Sequence, residues 1–273
     1  FRYNDKTDRT MNNYQFLTVE KRGHIAIVTL SRPESRNALH RELLLELEHS
    51  ALGFREDLES RVIIFTGAGK HFSAGADLDY LVSLQDKPML ERRRSVRLGE
   101  RVFHAMREIE QITICAWNGA AIGGGACLAT ATDLRIGSED CFIQYPEIDI
   151  GMNLMWQCLP RTVRLVGETR AIRLAIGGER IDAATMLDWG LLEEVVPAAQ
   201  LIDRSLASAE LYASKAPIAA QMIKRSINAT GGHLDRAMMH ADSDQHVLAT
   251  LTKDHERAMS AYLENKPPSF KGD

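Results

Sequence analysis

Two short stretches carry residue types that could do chemistry. The first is WNGAAIGGGACLATATD, Trp117 to Asp133, where three consecutive glycines separate an apolar run from a helix-forming one. Glycines at such a junction let the chain turn tightly and leave backbone N–H groups open to a ligand. The start of a helix adds unpaired N–H donors and a positive dipole end. Together these stabilise a negative oxygen, but close helix–strand packing calls for the same glycines, and composition alone does not separate the two. The second stretch is YPEIDIG, Tyr145 to Gly151, whose Glu147 could move a proton as a general base. Its place after Tyr145–Pro146 would equally suit a plain turn carboxylate.

Other chemistries are excluded by spacing. TGAGKHFSAGADL, Thr66 to Leu78, offers Gly69–Lys70, but Ile64 holds the first glycine position of a nucleotide-binding loop and His71 follows the lysine. GAAIGGG lacks the GxGxxG order of a dinucleotide site. The nine histidines include no HExxH, so no metal is expected. Cys115, Cys127, Cys141 and Cys158 show no CxxC pairing and read as buried, reduced thiols of a cytoplasmic protein. A net charge of -4 argues against a nucleic-acid partner, and the basic run ERRRSVR (Glu91 to Arg97) reads as a solvated helix face. No apolar run approaches the roughly 20 residues that span a bilayer, so no membrane partner is expected. Residues 1–10, polar and preceding Met11, read as an added remnant or a disordered extension.

The elements that must position these stretches alternate. His24–Leu30, Arg61–Gly67 and Ile112–Trp117 read as strands from their β-branched content, with DLRIGS and CFIQYPEI as two more. Leucines at helical spacing follow Asn37, a candidate N-cap, and a second helix spans about Leu90 to Ile109. This order predicts a layered α/β core. After about Leu154 the pattern is mostly helical, with LLEEVVP as one strand, Gly190 and Gly177–Gly178 as helix stops, and one long helical pattern over 233–265.

The ordered motifs RPESRNAL, HFSAGADL, NGAAIGGG and YPEIDIG, closed by AYLENKPPSFKG, resemble the crotonase family of enoyl-CoA hydratases and isomerases. The likeness runs from Tyr14 to the C-terminus. It implies a spiral of ββα units over 11–200 and a C-terminal helical trimerisation region over 201–273. It also implies a homotrimer or dimer of trimers, and acyl-CoA thioester substrates with coenzyme A as part of the substrate and no separate cofactor. By the same resemblance the N–H groups of Ala76 and Gly124 form an oxyanion hole. Ala74, Ala76, Asp77 and Leu78 hold the adenine and pantetheine, while Arg36, Ala38 and Leu39 flank the coenzyme A. Phe270 and Lys271 match a tail that can reach it, sometimes on a neighbouring subunit.

Hydratases of that family use two glutamates, one after the glycine cluster and one in the PEI motif. Here Cys127 stands at the first position and Glu147 at the second, and GMNLMWQCLPR replaces the PGxGG that follows PEI. Hydration needs water oriented and deprotonated and a proton delivered separately to the α-carbon, whereas one carboxylate beside an oxyanion hole suffices for an α-to-γ proton shift. The expected activity is therefore enoyl-CoA isomerisation, with Glu147, Ala76 and Gly124 catalytic. Cys127, Met155 and Trp156 would form the acyl wall, and burial among Met152, Leu154, Met155 and Trp156 would raise the Glu147 pKa. Alternatives are a hydratase or dehydratase using Asp149 or a bound water, an acyl-CoA decarboxylase, and a silent acyl-CoA binder. Asp133 reads as fixing the end of the helix after the glycines.

Overall fold

Alternation within short β-branched runs decides the sheet. The computed structural model describes residues 14–232, 234–264 and 266–273, so the expectation for residues 1–10 lies outside them. Its strands are β1 (Leu17–Arg22), β2 (Ile25–Leu30), β3 (Val62–Gly67), β4 (Ile112–Trp117), β5 (Ala120–Ile122), β6 (Leu134–Ser138), β7 (Phe142–Gln144), β8 (Ile181–Asp182) and β9 (Glu194–Val196). The helices are α1 (Arg41–Gly53), α2 (Leu78–Ser83), α3 (Met89–Arg107), α4 (Gly124–Ala131), α5 (Leu159–Val166) and α6 (Glu168–Ala175). They continue as α7 (Ala183–Asp188), α8 (Leu201–Ala213), α9 (Pro217–Gly232), α10 (Asp235–Met238), α11 (Asp242–Ala249) and α12 (Lys253–Leu263).

The larger sheet has the order β1-β2-β3-β4-β6-β9, antiparallel at β1–β2 and parallel elsewhere. Because side chains alternate along a strand, Ala26, Val28, Leu30, Ile63, Phe65, Cys115 and Trp117 face the core shared with α1, α3 and α4. Ile25, Ile27, Val62, Ile64, Ile114 and Ala116 face the other way, under Leu201, Ala209 and Ala213 of α8. Both faces are covered, as a mostly parallel sheet requires.

A smaller layer pairs β5 with β7 in parallel and β7 with β8 antiparallel. Each turn of the chain gives one strand to the large sheet, a second short segment to this layer, and then a helix. In the first two turns the second segment shrinks to single bridges, Leu39 with Ala76 and Ser73 with Ala121. The chain is thus the expected ββα spiral, and its second segments lie side by side around residues 36–39, 73–77, 120–122 and 142–144.

Five expectations change. β1 adds a strand that periodicity does not signal, because LTVEKR buries only Leu17 and its charges mask the alternation; Gly23, at φ +59°, turns it into β2. Asn37 is not an N-cap. It is buried at φ +55°, and His40 caps α1 by accepting from the Leu43 N–H. The PEI segment is no strand but a 3-10 turn, Pro146–Ile150, which a proline in the first turn favours. The long C-terminal pattern is broken into α10, α11 and α12, the last capped by Thr252. Finally, Asp133 does not cap α4; its Oδ2 accepts from the Thr113 N–H and pairs with Lys224 at 2.6 Å.

Candidate active site

Asn37 fastens the first loop of the site. Its Nδ2 donates to the carbonyls of Ala68 and His71, at 2.9 and 2.7 Å, and its Oδ1 accepts from the Arg32 N–H. Asparagine tolerates the left-handed backbone found here, and its amide supplies the partners a buried loop needs. The next segment is zipped on both sides. Ala74 N–H donates to Arg36, Leu39 N–H to Gly75, and Asp77 N–H to the Leu39 carbonyl. On the opposite edge Ser73 N–H donates to Ala120 and Ile122 N–H to Ser73. The Ala76 N–H, between these ladders, donates to no acceptor among the described residues.

The three glycines serve close packing, and Gly124 also borders a cavity. Gly123 sits at φ +49°, and a Cβ there would lie 2.5 Å from the Glu147 Oε1. A Cβ on Gly124 would lie 2.5 Å from the Trp156 ring, and one on Gly125 would lie 2.6 Å from the Ser73 carbonyl. Gly124 is the first residue of α4, so its N–H has no acceptor within its own helix. Gly75, at φ +85°, brings the two loops together: a Cβ there would be 3.5 Å from the Gly124 nitrogen and 2.5 Å from the Ile122 carbonyl. Ala76 and Gly124, whose N–H groups are left without an acceptor among the described residues, therefore both line one cavity.

Glu147 enters that cavity from the 3-10 turn. Gly151, at φ +67°, closes the turn, and the Met152 N–H returns to the Glu147 carbonyl at 2.9 Å. Glu147 Oε2 is shielded from solvent and meets no donor. Burial pushes its pKa up to about 7, assisted by the charge of Asp149 and opposed by the residue's own N–H. Asp149 is exposed and its carboxylate lies against Gly178, so it does not share the Glu147 cavity. The same-side placement that a strand would have given is lost with the strand.

The cavity, with about 40 Å³ of internal room, is walled by Leu81, Cys127, Met152, Leu154, Met155 and Trp156. Trp156 holds φ +70° and wedges its ring between Gly99 of α3 and Gly124 of α4. Cys127 is fully enclosed, its Sγ 3.0 Å from that of Cys158, and burial lifts its pKa far above the ordinary thiol range. A thiol so placed stays protonated and is neither base nor nucleophile.

The remaining residues singled out in the sequence lie outside the Glu147 cavity. Leu39 has a fully buried side chain, and its backbone groups are spent on Gly75 and Asp77. Asp77 caps α2 by accepting from the Tyr80 N–H and pairs with Arg32 at 3.0 Å. Burial alone would raise its pKa, but the Arg32 guanidinium and the Tyr80 N–H hold it below the usual range. It borders a groove of about 450 Å³ with Arg32, His40, Arg41 and Lys87. Ala38 and Ala74 are half-buried in the zipped loops, whereas Arg36 is exposed there and Leu78 is exposed at the start of α2. Phe270 and Lys271 do not reach the Glu147 cavity. The tail folds onto α12, where the Lys271 and Gly272 N–H groups donate to Asp254.

Three cavity residues escaped sequence reasoning, Leu81, Asn153 and His246. His246 lies on α11, far along the chain, and only tertiary packing reveals it. α11 is fastened to the site loop through Asp242, which accepts from the Gln157 N–H at 2.8 Å and from Asn153 Nδ2 at 3.2 Å.

The arrangement agrees with comparisons to known proteins. The sequence profile of the enoyl-CoA hydratase/isomerase family matches residues 20–273. The short-chain-enoyl-CoA hydratase of Clostridium acetobutylicum is 32% identical over 250 residues, covering 91% of this chain and 94% of that relative. A crystal structure of an enoyl-CoA hydratase/isomerase from Pseudoalteromonas atlantica T6c superposes with a TM-score of 0.85 at 27% identity, over 94% of this chain and all of the other. A monofunctional enoyl-CoA isomerase from M. smegmatis gives 0.67 at 28% identity, over 79% of this chain and 93% of its own. With two free amides and a buried carboxyl at the junctions of a ββα spiral, this chain belongs to the enoyl-CoA hydratase/isomerase family and has the crotonase fold.

Proposed function

We propose that the protein shifts the double bond of a 3-enoyl-CoA to the 2-position. In this mechanism the thioester carbonyl accepts from the Ala76 and Gly124 N–H groups. Glu147, as carboxylate, takes a proton from the α-carbon, and the electrons move onto the carbonyl oxygen as a dienolate. The same carboxyl then returns the proton to the γ-carbon, leaving the bond conjugated with the thioester. Each amide aimed at the developing oxyanion is worth about 2.7–4 kcal/mol. The observation that carries the reading is that Glu147 is the one carboxyl lining the cavity among the described residues, while the position next to the glycines holds an inert thiol.

Hydration is the second reading, favoured by the name of the Clostridium acetobutylicum relative. It needs another group to hold water, and on this wall the imidazole of His246 is the nitrogen base among the described residues. Incubation with a 3-enoyl-CoA and, separately, a 2-enoyl-CoA divides the two. Isomerisation predicts bond migration in the first and little 3-hydroxyacyl-CoA from the second. Fast hydration without migration would overturn it.

We also infer the homotrimer, or a dimer of trimers. On α9 Ile218, Met222, Ile223 and Ile227 are each more than half exposed on neighbouring helical positions, an apolar stripe of the kind self-association covers. Sedimentation velocity is expected to show three or six chains, and a monomer would contradict this.

A further inference from the structure

Three polar atoms in the Glu147 cavity and its wall are buried without a hydrogen-bond partner: Glu147 Oε2, Asn153 Oδ1 and His246 Nδ1. The proton transfer accounts for the first. The other two have no role in it. A buried polar group left unpaired costs roughly 1–3 kcal/mol, so such a pair in an otherwise apolar wall calls for a partner.

His246 is 4% exposed, and the wall around it is Leu81, Met152, Leu154 and Met155. Burial, followed by the charges of His255 and Arg92, lowers its pKa to about 4, which keeps the ring neutral and able to donate or accept. The ring also borders a second cavity of about 30 Å³, lined by Leu84, Ile150, Thr250 and Met259, so it stands in the partition between the two. Asn153 is held in place by its Nδ2 contacts to Asp242, which turn its Oδ1 away from that carboxylate. One acceptor and one neutral ring nitrogen therefore flank the acyl end of the site.

We propose that His246 and Asn153 recognise an oxygen substituent, a hydroxyl in the first instance, on the acyl group beyond its third carbon. A hydroxyl can donate to Asn153 Oδ1 and accept from, or donate to, His246. An unsubstituted chain leaves both groups unpaired, and that difference sets the preference. The inference rests on the acyl-CoA reading of the cavity but not on which reaction follows.

The test is binding rather than turnover. Dissociation constants of the full chain are measured calorimetrically for pentanoyl-CoA and hexanoyl-CoA, and for 4-hydroxypentanoyl-, 5-hydroxypentanoyl- and 6-hydroxyhexanoyl-CoA. At least one hydroxylated thioester is expected to bind ten-fold or more tightly than its parent. His246→Phe should cut that advantage below two-fold, read as the ratio of hydroxylated to parent thioester within the same variant. His246→Leu serves as a second variant should the larger ring disturb α11. No advantage for any hydroxylated member, or an advantage that survives loss of the imidazole, overturns the proposal. So does a variant that loses crotonyl-CoA hydration when the wild-type shows no hydroxyl preference, because that assigns His246 to a water. If none of the thioesters binds, the acyl-CoA reading itself has failed, which is a distinguishable result.

Discussion

Glu147→Gln is expected to lower kcat/KM for 3-enoyl-CoA isomerisation by three orders of magnitude or more while making the protein more stable above pH 7. The amide keeps the shape of the carboxyl but can neither take the α-proton nor return it. The stability effect follows from the pKa of about 7, raised from an ordinary 4.5 by burial. Between those values the folded protein holds a proton that the unfolded chain releases. Stability therefore falls as pH rises from about 4.5 to 7, and the full penalty remains above 7. It amounts to at most about 3 kcal/mol at 1.36 kcal/mol per pH unit. Glutamine carries no such penalty, so the variant's Tm should exceed that of the wild-type at pH 8 and match it near pH 4. For the wild-type, kcat/KM should rise with pH through about 7 and level off, since the base acts as carboxylate. Equal Tm values at pH 8, or a rate that falls through pH 7, would contradict the buried-base account.

Gly75→Ala is expected to lower kcat/KM by a hundred-fold or more through the amide pair rather than through the carboxyl. A methyl there would press on the Ile122 carbonyl at 2.5 Å and lie 3.5 Å from the Gly124 nitrogen, at a φ of +85° that L residues rarely adopt. The loop bearing Ala76 must move away from α4 to admit it. Losing one donor to an oxyanion typically lowers kcat by 10²–10³. Gly190 supplies the control, because at φ +75° it has nothing within 4 Å of an added Cβ. Gly190→Ala should cost about 1 kcal/mol of stability from backbone strain and leave kcat/KM intact. If both variants kept full activity, the amides of Ala76 and Gly124 would not be holding the oxygen.

Much of this was legible in the sequence for identifiable reasons. β2, β3 and β4 are β-branched runs buried on both faces, and such runs announce themselves. The ordered motifs around Ala76, Gly124 and Glu147 pointed to segments that the spiral does bring into one cavity. Periodicity failed where local chemistry overrode it. Pro146 and Gly151 bend the PEI segment into a turn, which removes Asp149 from the cavity, and Asn37 spends its amide on loop carbonyls instead of a helix start. His246 gave no local signal at all. It shares a helix with Asp242, whose contacts to Asn153 and Gln157 carry α11 onto the wall, and nothing in the spacing of α11 shows where that helix will dock.

The central claim is that one carboxyl carries a proton from the α- to the γ-carbon. The most direct measurement follows the label when the enzyme converts a 3-enoyl-CoA bearing deuterium at both C2 positions, with the product read by mass spectrometry and NMR. The account predicts a 2-enoyl-CoA carrying a detectable share of that deuterium at C4, and no such transfer with Glu147→Gln. A product whose C4 hydrogen comes wholly from solvent, or a 3-hydroxyacyl-CoA in its place, would contradict it.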